Sequence, residues 1–537
     1  MTEQRKEPRM ITGVLLLTIA GMAEKILGVI LKIPLSSYLG EEGMGYFNSA
    51  YSIFSTFYTV SITGLPIATS IMISRSRTKG RKLETSHIFR VALFTFIIIG
   101  LLGSSTMFFR AEYIANLIDK NNNSPYCIQA IAPILLFICI SSSIRGFYQG
   151  HQNMMPSAVS ELLDAIGKTA LGIFFGGYAI KHGYSVEIAA AASIAGITIA
   201  HMLGMGYLII TKCLVKTDYS YLNVPIDEKN SESYLNIFKK MMYIAIPITL
   251  SSLALGLTTT IDTFTINNIL NNSNAMAVYG AYTTLAVTLY RLPQAFITPI
   301  SSSLTPTLTA AIASKNESKI RLTLYSSLKI TAIISIPCAV GMGVLARPII
   351  SFIYGGSYKI ETIRNNATLL SILSIAIFLM SMLTITSSIL QSYGKQHRPV
   401  ISMSVGTVVK LILNIVLISK IGIYGAPIST VASFFVMAFI NFAFVFKYAD
   451  IKISIFKAFL TPAIIMLICS PITYGSFVLF AKLLPHERIA TIISILITII
   501  VYAFALLITK TISKDEILMI PKGKAIYNKL AKMKLVK

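Results

Sequence analysis

Apolar runs of about twenty residues recur along nearly the whole of this 537-residue chain, and that recurrence restricts its fold more than any other feature. A run of ~20 residues, rising 1.5 Å each, crosses the hydrocarbon core of a bilayer. Within lipid, a helix satisfies its own backbone hydrogen bonds. The runs are continuous rather than alternating, which excludes a membrane β-barrel. The chain is 54% hydrophobic and only 13% charged, outside the usual composition of soluble globular proteins. The spacing predicts an all-α polytopic membrane protein of about fourteen transmembrane helices, beginning with 10–38, 46–74 and 87–109 and ending with 457–481 and 489–510. The first run is too long for the apolar region of a signal peptide, and no small-residue cleavage site follows it, so it is read as a retained span.

A net charge of +24 raises the question of nucleic acid, and its distribution answers no. With the N-terminus inside, about thirty Lys and Arg fall on the cytoplasmic segments, Arg145 among them, against about nine outside. That bias predicts cytoplasmic termini and attraction to anionic inner-leaflet lipid. The five cysteines are scattered with no metal spacing, and no cofactor is expected.

The longest internal loop, 212–240, separates an N-lobe (1–211, six spans) from a C-lobe (241–447, six spans), followed by two further helices (448–510) and a basic tail (511–537). The tail reads as an amphipathic helix on anionic lipid. The lobes share ordered similarities at a nearly constant offset: 45–54 with 278–287, 108–118 with 344–355, and 142–168 with 387–410. Copies with an even number of spans share one orientation, so the lobes are expected to be parallel repeats facing a central cleft, the arrangement of alternating access.

Enzyme signatures are missing: no HExxH, no nucleophile elbow and no external loop large enough for a transferase, polymerase or ligase domain. Gly167-Lys168-Thr169 resembles a fragment of a P-loop, but Leu162 stands where its first glycine belongs. What remains is charge inside apolar spans: Glu24, Lys25, Lys32, Arg90, Glu161, Asp164, Lys168, Asp262, Arg291, Lys329 and Lys410. Each costs at least ~2.5–3.5 kcal/mol to insert, so such residues face a partner or a wet cavity. Arg90 and Lys329 are expected to snorkel to the interface. Asp164 and Lys168, four apart with Glu161 on the same face, have the spacing of a local ion pair.

Lys25 and Lys32, seven residues apart, fall within ~20° of each other around a helix and give the first span a basic face. Arg291 lies in LYRLPQAF, where Pro293 loosens the eighth span, 277–312. Arg grips phosphate oxygens in a fork and Lys acts as a point charge, so these three suit a phosphate or diphosphate head. Glu24 and Asp262 are alternatives as ion-pair partners or as a coupling site for a cation or proton.

The segments KILGVILKIPLSSYLGEEGMGYFNSAY (25–51), GLPIATSIMISR (64–75), IRGFYQGHQNMMPSAVSE (144–161) and LYRLPQAFITPISSSLTPTL (289–308) resemble the MurJ and SpoVB-like polysaccharide biosynthesis flippases of the multidrug/oligosaccharidyl-lipid/polysaccharide (MOP, MATE-like) superfamily. The resemblance covers nearly the whole chain. It implies translocation of an undecaprenyl-diphosphate-linked cell-wall precursor, lipid II first, with its tail beside the last two helices and proteins of cell-wall synthesis as partners. By position, Lys25 and Arg291 match basic residues of the family's first and eighth spans, and Lys32 a second basic position about one residue away. The basic residue of the family's second span is missing, since Ser52 to Thr59 offers only hydroxyls and aromatics. A cation-coupled drug exporter of the same superfamily is the competing expectation, and it would favour Asp262 and Glu24 over basic residues.

Overall fold

The computed structural model of the chain describes residues 7–62, 64–118, 125–151, 153–214, 232–270, 274–449, 455–509 and 511. Most of the predicted linker and nearly all of the predicted tail lie outside these residues. Among them there are helices and no β-strand, in two compact units: Met1–Thr284 with Leu411–Ile423, and Leu285–Lys410 with Tyr424–Lys537.

The first unit is built from α1 (Glu7–Ile62), α2 (Gly64–Thr78), α3 (Lys82–Phe109), α4 (Ala111–Ile118), α5 (Pro125–Ile131), α6 (Ile134–Gly150), α7 (Met155–Lys181), α8 (Val186–Leu214), α9 (Tyr234–Ile269) and α10 (Ala275–Ala281). The two predicted spans 10–38 and 46–74 meet inside α1, a run of 56 residues. Its direction changes at Gly40, whose φ of 63° and ψ of −164° belong to a region that only glycine enters cheaply. The second span ends at Ile62 and resumes as α2, where Pro66 sits in a first turn that needs no proline N–H.

Two apolar clusters hold this unit. One joins Leu35 and Phe47 of α1 to Ile131, Ile194 and Met276. The other joins Leu65 of α2 to Phe96, Phe147, Leu208 and Met241. Polar side chains stitch α1 to α9: the Thr56 and Thr260 hydroxyls lie 2.6 Å apart, and Thr263 donates to the Ser52 hydroxyl at 2.7 Å. The hydroxyls that stand where the family's second-span basic residue is expected are therefore engaged within the unit.

The second unit contains α11 (Thr288–Tyr290), α12 (Gln294–Ala313), α13 (Glu317–Val344), α14 (Ala346–Tyr354), α15 (Ile360–Ser392), α16 (His397–Ile421, to Lys410), α17 (Gly425–Ala449), α18 (Ile455–Leu483) and α19 (Glu487–Ile508). Its core joins Leu304, Leu328, Ile385 and Met466 to Tyr502, whose hydroxyl donates to the Ile333 carbonyl at 3.1 Å. In each unit a short helix follows a long one, α4 after α3 and α14 after α13, on the two segments paired in the sequence repeat. Lys329 departs from expectation. It lies more than three turns into α13, only 7% exposed, with its ammonium 5.5 Å from the Tyr325 ring centroid, so it does not snorkel.

Nine helical runs among the described residues are long and apolar enough to cross a membrane, and two of them, Ile19–Arg77 and His397–Ala449, span 59 and 53 residues, length for two crossings each. α7 and α9 are not among the nine; α7 carries three of the charges discussed below. Leu102, Phe174 and Ile210 in the first unit, and Phe439, Leu467 and Ile500 in the second, are each more than half exposed. So much exposed apolar surface fits a solvent of lipid.

Candidate functional site

The charges of the first unit gather where α7 lies against α1, α6 and α8. Residues three, four and seven apart share a face of a helix, so Glu161, Asp164 and Lys168 project together from α7. The predicted Asp164–Lys168 pair does not form. Lys168 instead donates to Glu24 of α1 at 2.8 Å, and Asp164 accepts from Arg145 of α6 at 2.8 Å. Arg145 also donates to the Ser160 hydroxyl at 2.8 Å and lies 3.7 Å from the Glu161 carboxylate. His201 of α8 completes the group, 3.6 Å from Asp164.

A local i,i+4 pair contributes only a few tenths of a kcal/mol. A forked guanidinium from a neighbouring helix offers several charge-assisted bonds at once, and it wins. Two polar atoms in this knot, Asp164 Oδ1 and Arg145 Nε, are buried without a hydrogen-bond partner among the described residues.

Gly204 of α8 lies directly over Asp164, and a Cβ there would collide with the carboxylate. Gly204→Ala is expected to displace Asp164 and cost about 1–3 kcal/mol, the range for overpacking a tight interior. A lowered unfolding midpoint of the purified protein checks this, with Gly206→Ala, which meets nothing within 4 Å, as the neutral comparison.

The other candidates have different surroundings. Lys25 is exposed and makes no ion pair among the described residues. Lys32 is half-buried and donates to Asn48 Oδ1 at 3.0 Å, and Asn48 donates onward to the Thr284 hydroxyl at 2.9 Å. Asp262 is buried and accepts from Asn414 at 2.8 Å.

Arg291 belongs to the second unit. The predicted continuous span 277–312 is instead α10, a π turn (Tyr282–Val287), α11, and a break at Arg291–Pro293 before α12. Proline lacks the N–H that would continue the helix, and π turns are concentrated at functional positions. The Arg291 guanidinium sits 5.7 Å from the Tyr290 ring centroid, and its Nε donates to the Tyr290 hydroxyl at 3.3 Å.

Arg145 and His201 escaped the sequence reading. Its place near the end of an apolar run puts Arg145 with the cytoplasmic segments, yet its side chain is mostly buried. Its position inside IRGFYQG, within α6, was the available signal. His201 gave one too, a lone titratable group in the middle of the sixth span.

Residues 10–312 match the family model described as polysaccharide biosynthesis protein, and residues 247–416 match the MatE model. The chain is similar to lipid II flippase MurJ of Bacillus subtilis (strain 168), with 26% identity over 485 residues that span 86% of this chain and 87% of that protein. It is similar also to stage V sporulation protein B of the same strain, with 24% identity over 518 residues, 95% of this chain and 97% of that protein. A solved structure of lipid II flippase MurJ in an inward closed conformation has the same fold, with a TM-score of 0.68 at 18% identity over 91% of this chain and 98% of that one.

Proposed function

The chain belongs to the polysaccharide biosynthesis protein family, and from that premise we propose that it is a lipid flippase, moving an undecaprenyl-diphosphate-linked cell-wall precursor, foremost lipid II, from the inner to the outer leaflet of the bacterial cell membrane. It works by alternating access of its two lobes, as a transporter and not an enzyme, with both termini in the cytoplasm. Lys25, Lys32 and Arg291 supply the cationic contacts to the diphosphate.

The observation that carries this reading is how charge is partnered. The carboxylates Glu24, Glu161 and Asp164 are taken up by Lys168 and Arg145, whereas Lys25 stands exposed without an ion pair among the described residues. An exposed cation at the level of a transmembrane helix suits an anionic cargo. A cation-coupled drug exporter needs the reverse, an accessible carboxylate, and Asp262 is buried against Asn414. Similarity to stage V sporulation protein B supports a second cargo for the same site, a spore-wall or other lipid-linked glycan precursor.

Reconstituted protein tests the contacts. Each single neutralisation, Lys25→Gln or Arg291→Gln, is expected to slow flipping of fluorescent lipid II on the order of tenfold or more, from loss of a charged contact worth ~1.5–3 kcal/mol. The triple variant with Lys32→Gln is expected to be inactive while keeping the wild-type unfolding midpoint. A folded triple variant that flips at the wild-type rate removes these residues from the mechanism.

A further inference from the structure

A groove of about 700 Å³ opens in the first unit at the end of α3, between α1, α4 and α9. Its size falls in the range of small-molecule sites, roughly 300–1,000 Å³. The walls are mainly apolar, with Phe57, Leu117 and Phe264 among them, and Arg110 and Ser105 are polar groups at the α3 end. Arg110 follows immediately on the membrane-crossing run Lys82–Phe109. The groove therefore sits where a span meets the headgroup layer, with the short helix α4, buried through Ala111, Ala115 and Ile118, closing one side.

Arg110 is exposed and makes no ion pair among the described residues. Glu112, two residues on, does not line the groove and is likewise not paired with it. An apolar trough with one unneutralised guanidinium at its headgroup end is complementary to a single amphiphile with an acyl chain and an anionic head.

We propose that this groove is a binding site for one anionic phospholipid of the bilayer, with its phosphate on Arg110 and an acyl chain along Phe57, Leu117 and Phe264. Arg presents paired N–H donors to the phosphate oxygens, and the Ser105 hydroxyl offers a further donor on the same wall. A zwitterionic lipid brings an ammonium to the same guanidinium and binds less well. Because four helices line the groove, the lipid ties α3 and α4 to the hydroxyl seam between α1 and α9.

The chain contains no tryptophan, so a single reporter can be placed in the groove. Leu117→Trp protein is reconstituted into phosphatidylcholine vesicles containing either brominated phosphatidylglycerol or brominated phosphatidylcholine, and quenching is followed against mole fraction. Leu467→Trp, on an exposed part of α18, reports ordinary lipid contact. The expected result is about fivefold tighter apparent binding of the anionic lipid at Leu117→Trp, the effect of one basic residue near the membrane surface, and no preference at Leu467→Trp. Adding Arg110→Gln should abolish the preference, and adding Arg110→Lys should retain most of it, with unfolding midpoints unchanged in both. Equal quenching by the two lipids, or a preference that survives Arg110→Gln, overturns the proposal. Relief of quenching by undecaprenyl phosphate well below the phosphatidylglycerol concentration also overturns it, by assigning the groove to a polyprenyl chain.

Discussion

Arg145→Met is expected to destabilise the first unit by about 3–5 kcal/mol, the cost of removing one partner from a buried ion pair and leaving its counter-charge uncompensated. Arg145 holds Asp164 and Ser160, each at 2.8 Å, and lies 3.7 Å from Glu161, so its loss strands two carboxylates on one face of α7. Lys168 cannot replace it, because it is committed to Glu24 at 2.8 Å. Arg145→Lys should fall between, since a single ammonium cannot reproduce the fork. Glu161→Gln alone should cost much less, because its contact is long and the side chain is 24% exposed. Combining Arg145→Met with Asp164→Asn and Glu161→Gln should recover most of the loss, since the penalty belongs to unpaired charge and not to the missing side chain. Thermal unfolding in detergent measures all four. An unfolding midpoint unaffected by Arg145→Met would mean that the carboxylates are solvated and the knot is not structural.

Gly280→Leu is the second large effect, expected at about 3 kcal/mol, the upper end of the overpacking range. A Cβ at Gly280 would run into the Glu41 carbonyl and the backbone of Gly45, and a Cβ at Gly45 would run into the Met276 carbonyl. The obstruction is backbone on both sides, which no rotamer change relieves. Close backbone approach at small residues is how membrane helices gain van der Waals contact where lipid supplies no hydrophobic drive. The displacement should also reach the candidate site. Parting α10 from α1 pulls Thr284 away from Asn48, the residue that accepts from Lys32. Gly280→Leu should therefore lower both the unfolding midpoint and flipping activity, whereas Gly206→Ala should be neutral or up to about 1 kcal/mol stabilising. Full flipping by a Gly280→Leu protein would separate this crossing from transport.

Much of the fold was legible because hydropathy over twenty residues is a property of the chain itself. The predicted spans 87–109, 457–481 and 489–510 fall on α3, α18 and α19. The breaks were harder to read. Pro293 announced one, but nothing local marked α1 as continuing past the polar stretch at Gly40, where a single unusual φ absorbs the turn. Side-chain partners were least legible of all. Asp164 and Lys168 have the spacing of a pair, yet each is claimed by another helix, and which helix lies opposite is a fact of packing that no sequence spacing contains. Lys329 shows the same limit from the other direction, since its burial follows from the helices around α13 and not from its distance to the ends of an apolar run. The candidate cations are found by counting charges in apolar runs, whereas Arg145, inside the predicted span 126–147 but near its end, falls to the cytoplasmic tally although its side chain turns into the bundle.

The most direct test of the account is depletion of the protein in its own cell, with lipid II in each leaflet counted by its accessibility to an extracellular probe. Lipid II is expected to accumulate on the inner leaflet, with outward movement restored by wild-type protein and not by Arg291→Ala. Unchanged lipid II distribution on depletion, with altered drug sensitivity or altered surface polysaccharide in its place, would contradict it.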